Sequence, residues 1–227
     1  MNKQEIIDWL ETNKDERGIK IWERAGVKGM HSVGVGVTKL KALAKKAGKD
    51  HELALDLWNE SIFECKTLST LIDDPKKISR KQINQQVKDL HFWMLSHAYC
   101  NYLLPKYPAI LELAEEWIES PDNLERRCGF LLFYQIAKNN KKLPDDYFFP
   151  ILKHIENEIQ NEENFVKDAM NNALWSIGTR NKTLNILSIE VAKFIGRIEV
   201  DYGDNSCEAV NVETQLTSER IQKKFDS

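Results

Sequence analysis

Apolar residues recur along this chain at spacings of three and four, and few segments alternate with the two-residue period of a strand. That period predicts helices over residues 2–13, 15–24, 38–47, 51–59, 61–72, 79–88, 90–104, 107–119, 123–138, 145–160, 163–178 and 181–196, with another at 213–224. Breakers stand between them: Gly48, Asp73-Asp74-Pro75, Pro105, Pro108, Ser120-Pro121-Asp122, Leu143-Pro144 and Gly178. Ser120-Pro121 ahead of Asp122 reads as a helix start, with the proline in a first turn, where its missing amide costs nothing. Thr38 reads as the N-cap of the third helix.

One stretch organises the rest. LALDLWNESIFECKTLSTLIDDP, Leu53 to Pro75, reads as two short helices meeting at a tight junction and closed by an acidic-proline stop. Such a hairpin cannot bury its apolar side alone, so it calls for neighbours stacked against it. Short connections between helices of about 10–16 residues imply antiparallel hairpins in series. Their spacing of roughly 35–40 residues suits helical-pair repeats of the HEAT type. The expected fold is all-α, a solenoid of antiparallel helix pairs forming one curved domain over residues 1–227; an irregular helical bundle is the alternative. The concave side of a curved stack suits a long ligand, a duplex more than a small metabolite.

Composition narrows the class. Charged residues make up 30% of the 227 and aromatics 9%, which favours a folded chain over a disordered one. No apolar run approaches the roughly twenty residues of a membrane span, and no basic-then-apolar segment opens the chain. The four cysteines, Cys65, Cys100, Cys128 and Cys207, are scattered without a CxxC pair, as expected of reduced thiols in a cytoplasmic protein. A net charge of −3 argues against indiscriminate coating of nucleic acid. It leaves room for a local basic groove. Cations cluster at Lys39–Lys49, Lys76–Lys81, Arg126–Arg127, Lys138–Lys142 and Lys167–Lys182, each of which is either a solvated helix end or part of one converging face.

Little points to a cofactor. Gly34-Val35-Gly36-Val37 lacks the third glycine of a dinucleotide fingerprint and a following lysine, so a turn into a helix is the better reading than a phosphate site. His31, His51, His91 and His154 lack ligand spacing, and no metal is expected. Cys100, three residues after His97, is the only thiol near a base in sequence, and a thiol in an apolar helix is usually inert.

Leu53–Pro75 resembles the DNA alkylation repair family of AlkD-like, HEAT-repeat DNA glycosylases. The resemblance continues in GVGVTKLKALAKKAG before it, in RRCGFLLFYQIA at Arg126–Ala137, in NFVKDAMNNALWSIGTRN at Asn164–Asn181 and in AKFIGRIEVDYGDNSC at Ala192–Cys207. It covers about residues 30–207 in the expected order. It implies excision of N3- or N7-alkylated purines from duplex DNA by a protein that grips the backbone around the lesion, with no cofactor and as a monomer. An alkylated purine cation is already a good leaving group, so the remaining task is to stabilise a developing oxocarbenium sugar. A carboxylate does this by charge and aromatic faces do it by contact, while an arginine holds the neighbouring phosphate.

The resemblance carries over position by position. The family has a Trp-Asp-x-x-Asp run on a helix, where the tryptophan contacts the sugar and the last aspartate is catalytic. Here the run is WMLSH: Trp93 keeps the aromatic, while Met94 and His97 replace the acids. Four residues apart, Trp93 and His97 share a helix face. The phosphate-gripping arginine matches Arg127, with Arg126 beside it, and a second active-site tryptophan falls on Asn172. Losing one charge-stabilising group commonly costs about two to three orders of magnitude in rate. Asp89, one turn before Trp93, and Trp175, three residues after Asn172, are the candidate surrogates. His97 is a packed or hydrogen-bonded histidine, or a DNA contact that strengthens below pH of about 6.5. As a catalyst it is poorly suited, since histidinium repels an oxocarbenium ion.

Two functions follow. One is a glycosylase acting on alkylated duplex DNA through Trp93 and His97, with Arg127, Arg126, Asn172 and Trp175 on the DNA. The other is a non-catalytic binder of damaged, bent or branched DNA. A helical scaffold for a protein partner is a third possibility that the negative charge permits.

Overall fold

Fourteen α-helices are present among the described residues of the computed structural model, which are 1–27, 29–204 and 206–225. No strand forms among them, and an isolated parallel bridge links His31 to Ile62. The all-α expectation holds. Most helices begin where a short polar side chain accepts an orphan amide. Asn2, Asp15, Asp50, Ser79, Asp122, Asn181 and Asn211 each do this, and Asn2 with Glu5 forms a reciprocal capping box.

The chain divides into two compact units, Met1–Pro108 with Tyr202–Ser206, and Ala109–Asp201 with Cys207–Ser227. The first holds α1 (Lys3–Thr12), α2 (Glu16–Arg24), α3 (Val37–Ala47), α4 (His51–Trp58), α5 (Phe63–Ile72), α6 (Arg80–Gln86) and α7 (Trp93–Ala98). The Leu53–Pro75 hairpin is α4 with α5, and it supplies the middle of the core. Leu53, Ala54, Leu57, Cys65, Leu68 and Ile72 are buried with Ile6 and Leu10 of α1 and Leu40 and Leu43 of α3. Each leucine or isoleucine withdrawn from water contributes on the order of 1.5–3 kcal/mol, and the neighbours that cover the hairpin are α1 and α3.

α5 is enclosed all round and therefore buries polar groups, each of which needs a partner. The Glu64 carboxylate, wholly buried, accepts from the Ser32 hydroxyl at 2.6 Å, the Val33 amide at 3.1 Å and the Gly34 amide at 2.9 Å. It thereby holds the 32–36 loop against α5. Gly34 has φ +77°, and a Cβ there would lie 2.0 Å from the carbonyl oxygen of Asp15, so only glycine fits.

The second unit holds α8 (Ile110–Ile118), α9 (Asn123–Asn139), α10 (Phe149–Glu158), α11 (Asn164–Gly178), α12 (Lys182–Ile195), α13 (Val212–Leu216) and α14 (Glu219–Gln222). The longest helix, α9, packs between α8 and α11 and buries Cys128, Phe130, Leu132, Phe133, Ile136 and Ala137. Gly129 lets α8 approach closely, since a Cβ there would sit 2.8 Å from the Ile118 amide nitrogen. Arg180 closes the far end of α9, donating to the carbonyls of Ala137, Asn140 and Leu143 at 2.8–2.9 Å over the Phe148 ring.

Several boundaries differ from the expected ones. The 90–104 segment is not one helix: α7 passes into a π-helical turn at Tyr99–Leu103 and a 3₁₀ turn at Leu104–Lys106, where Pro105 lacks the amide to continue. The 145–160 segment opens as a 3₁₀ turn at Asp145–Phe148, and 213–224 is broken between Leu216 and Glu219. Gly36, not Thr38, caps α3, and it does so without a side-chain bond. Pro121 precedes the cap of α9 and does not enter its first turn, because Asp122 takes the capping position.

Candidate nucleic-acid interface

In the first unit the site is built on α7. Phe92 is extended and buried, and Trp93 opens the helix. The Trp93 indole Nε1 donates to the Ala25 carbonyl at 3.1 Å, and its ring meets Tyr202 edge-on at 5.3 Å between centroids. His97 comes edge-on to the same indole at 5.7 Å and 87°, so the shared face expected from their spacing is present. Phe92, on the other side, joins Trp22 and Phe63 in an aromatic cluster with centroid distances of 5.3–6.3 Å.

His97 also lines a cavity of about 200 Å³ with Trp22, Val35, Phe63, Met94 and Tyr102, and no acidic residue is among the described residues lining it. The π turn after Ala98 widens the helix by one residue and brings Asn101 and Tyr102 to that cavity. The Tyr99 hydroxyl anchors the turn on Gln86 Oε1 at 3.0 Å. The family resemblance, through the WMLSH run, pointed to Trp93 and His97, and their spacing put them on one face. Trp22, Val35 and Phe63 arrive from other segments and carried no local signal.

The nearby acids are already engaged. Asp89, the candidate surrogate, accepts from the Trp58 indole at 2.8 Å and from Lys66 Nζ at 3.3 Å. Asp73 is wholly buried between His51 Nδ1 at 2.6 Å and Gln82 Nε2 at 2.8 Å. Glu64 occupies the amides of Val33 and Gly34, so the protein's own carboxylate sits where the Gly-x-Gly segment would have offered donors to a phosphate. Cys65 shows how closed this region is: burial, with Glu60 and Glu64 adding to it, pushes its thiol up to about 12.

The remaining candidates lie in the second unit. Arg126 forks onto the Glu162 carboxylate through two contacts of 3.0 Å and also donates to the Ser120 carbonyl at 2.9 Å. That is a geometry for tying α9 to the turn before α11. Arg127 is only 4% exposed, its guanidinium 5.8 Å from the Phe165 ring centroid. Asn172 turns back along α11, donating to the Asp168 carbonyl at 2.8 Å and carboxylate at 3.0 Å. Trp175 stacks on Tyr134 of α9 with 17° between planes and 6.1 Å between centroids.

Among the described residues no three His, Cys, Asp or Glu side chains gather as a metal site, and no helix is long and apolar enough to cross a membrane. In sequence the chain is 26% identical over 203 residues to an uncharacterized protein of Listeria innocua, covering 87% of this chain and 88% of that one. It is 24% identical over 220 residues to an uncharacterized protein of Listeria monocytogenes, covering 95% and 96%. In structure it is similar to a protein presented as representing a new family of proteins related to the HEAT-like repeat DNA glycosylases with affinity for branched DNA structures. The TM-score is 0.86 at 25% identity, over 100% of this chain and 94% of the other. The HEAT-like arrangement expected from helix spacing is thus found in the fold. The family model for DNA alkylation repair enzyme matches residues 6–195. With α4, α5, α7, α9 and α11 all inside that match, the chain belongs to the DNA alkylation repair enzyme family.

Proposed function

We propose that this protein binds distorted or branched DNA and does not excise a base. The observation that carries the reading is the state of the α7 face. His97 stands one turn after Trp93, and the acid before Trp93, Asp89, is held by Trp58 and Lys66. Breaking an N-glycosidic bond develops positive charge on the sugar, and a nearby carboxylate is the group that lowers that barrier. Neutral imidazole supplies little of this, and imidazolium opposes it. The affinity for branched DNA ascribed to the structurally similar protein supports the binding half of the reading.

In this reading Arg127 holds a backbone phosphate. At 4% exposure beside the Phe165 ring, its guanidinium must be uncovered for that contact. The test pairs two assays. Incubated in excess with methylated duplex DNA, the protein releases no 7-methylguanine or 3-methyladenine above the spontaneous rate. It binds a four-way junction more tightly than a blunt duplex, with affinity falling as salt rises. Base release overturns the non-catalytic half, and failure to bind any junction at low salt overturns the binding half.

A further inference from the structure

Tyr134 and Trp175, a stacked pair, form the floor of a cavity of about 420 Å³ in the second unit, within the range of about 300–1,000 Å³ typical of small-ligand sites. Four cations line it: Lys138 and Lys141 from the end of α9 and the residues after it, and Arg220 and Lys224 from the C-terminal turns. All four are exposed, the two aromatics are half-buried, and none of the described residues lining the cavity is acidic. In a chain of net charge −3, that is a local concentration of positive charge. We infer that this cavity is a second nucleic-acid site, taking one unpaired nucleotide of single-stranded DNA with its base against Trp175 and Tyr134 and its phosphates among the lysines.

The chemistry favours this ligand over a duplex. Aromatic faces combined with cations are how proteins hold unpaired strands, because every base offers a π face and every linkage a charge. In a duplex the base faces are covered by stacking, and the aromatic floor would find no partner. One further observation fits. The Lys141 ammonium is held below its usual range, first by partial desolvation and then by Arg180 and Lys224, and an anion in the cavity offsets that. The site rests on the reading of the protein as a DNA binder and refines it, since branched DNA exposes unpaired nucleotides where its arms part.

The experiment uses the full chain and three labelled probes: a short oligothymidylate, a fork with one single-stranded arm, and a blunt duplex. Fluorescence anisotropy is read over a salt series. The expected order is fork tightest, with measurable binding of oligothymidylate. Lys138→Ala with Lys141→Ala, both at exposed positions, lowers the oligothymidylate salt slope by about 1.4, the share of two single-strand phosphate contacts. Trp175→Ala weakens oligothymidylate binding about tenfold or more, while Trp175→Phe, which keeps a stacking face, restores most of it. Failure of the wild type to bind oligothymidylate overturns the site. So does an unchanged salt slope in the folded double-lysine variant while the fork is still bound, and in that case the broader DNA-binding reading stands. If neither fork nor duplex is bound, the broader reading falls by itself.

Discussion

Replacing Glu64 by glutamine exchanges one buried carboxylate oxygen for an NH₂ and tests how the 32–36 loop is held. The carboxylate accepts three hydrogen bonds: Ser32 Oγ and the Gly34 amide meet Oε1, and the Val33 amide meets Oε2. A carboxamide keeps one oxygen, which can serve Ser32 and Gly34, and presents an NH₂ to the Val33 N–H. Val33 is 3% exposed, so water does not rescue that amide. One buried donor left unmade costs about 1–3 kcal/mol. Glu64→Ala goes further, orphaning both the Ser32 hydroxyl and the Val33 amide, for about 2–6 kcal/mol on the same scale. The Gly34 amide is spared, since Ser32 Oγ also accepts it at 2.9 Å. Urea unfolding measures both variants. A double-mutant cycle with Ser32→Ala isolates the pair, with an expected coupling of about 1 kcal/mol. A glutamine variant within about 0.5 kcal/mol of wild type would refute the reasoning, because the Val33 amide would then gain nothing from the carboxylate. The clamp matters for the site because Val35, just after the held residues, lines the His97 cavity.

Other substitutions probe separate parts. Gly129→Ala drives a Cβ to 2.8 Å from the Ile118 amide nitrogen, prises α8 from α9, and destabilises by about 1–3 kcal/mol in the same urea assay; a neutral effect would mean the helices part freely. Native protein exposes one of its four thiols, Cys207, to a thiol reagent and the other three only on unfolding; rapid modification of two or more would contradict their burial. Because the folded Cys65 pKa is raised from 9.0 to about 12, its contribution is fully present below pH 9 and is lost as pH rises toward 12. That loss runs at about 1.4 kcal/mol per pH unit, and Cys65→Ala should flatten the alkaline slope by that amount. His97→Asp places a carboxyl beside Val35, Leu40 and Phe63, where desolvation favours its neutral form. The variant should therefore release no methylated purine at neutral pH, and release above background would show the scaffold competent.

The helices were legible because burial imposes a period. Leu53, Leu57, Leu68 and Ile72 announce a buried face from spacing alone, and the structure puts them in one core. What spacing could not supply was the local balance at segment ends. The run 90–104 has one continuous helical period, yet the backbone widens at Tyr99, whose hydroxyl is tied to Gln86 thirteen residues back. A competition between a regular turn and a distant hydrogen bond leaves no mark in a periodic pattern. The basic clusters show the same limit. Lys138–Lys142 was visible as charge, but its convergence with Arg220 and Lys224 on Tyr134 and Trp175 depends on the C-terminal turns folding back within the unit.

The candidate residues separate lineage from activity for a physical reason. Positions that keep their type are those packing also needs: Trp93 seals Ala25 and Tyr202 whether or not a sugar approaches, and Arg127 is covered beside Phe165. Met94, His97 and Asn172 stand where the resemblance implies groups whose worth lies in their chemistry toward DNA. A carboxylate at His97 would have to stay ionised beside an apolar cavity, at a cost in stability repaid only if the reaction is selected. An imidazole is not obliged to carry a charge there. On the proposed reading the shared helices carry the lineage, and base release turns on the residue one turn after Trp93, where imidazole stands in place of an acid.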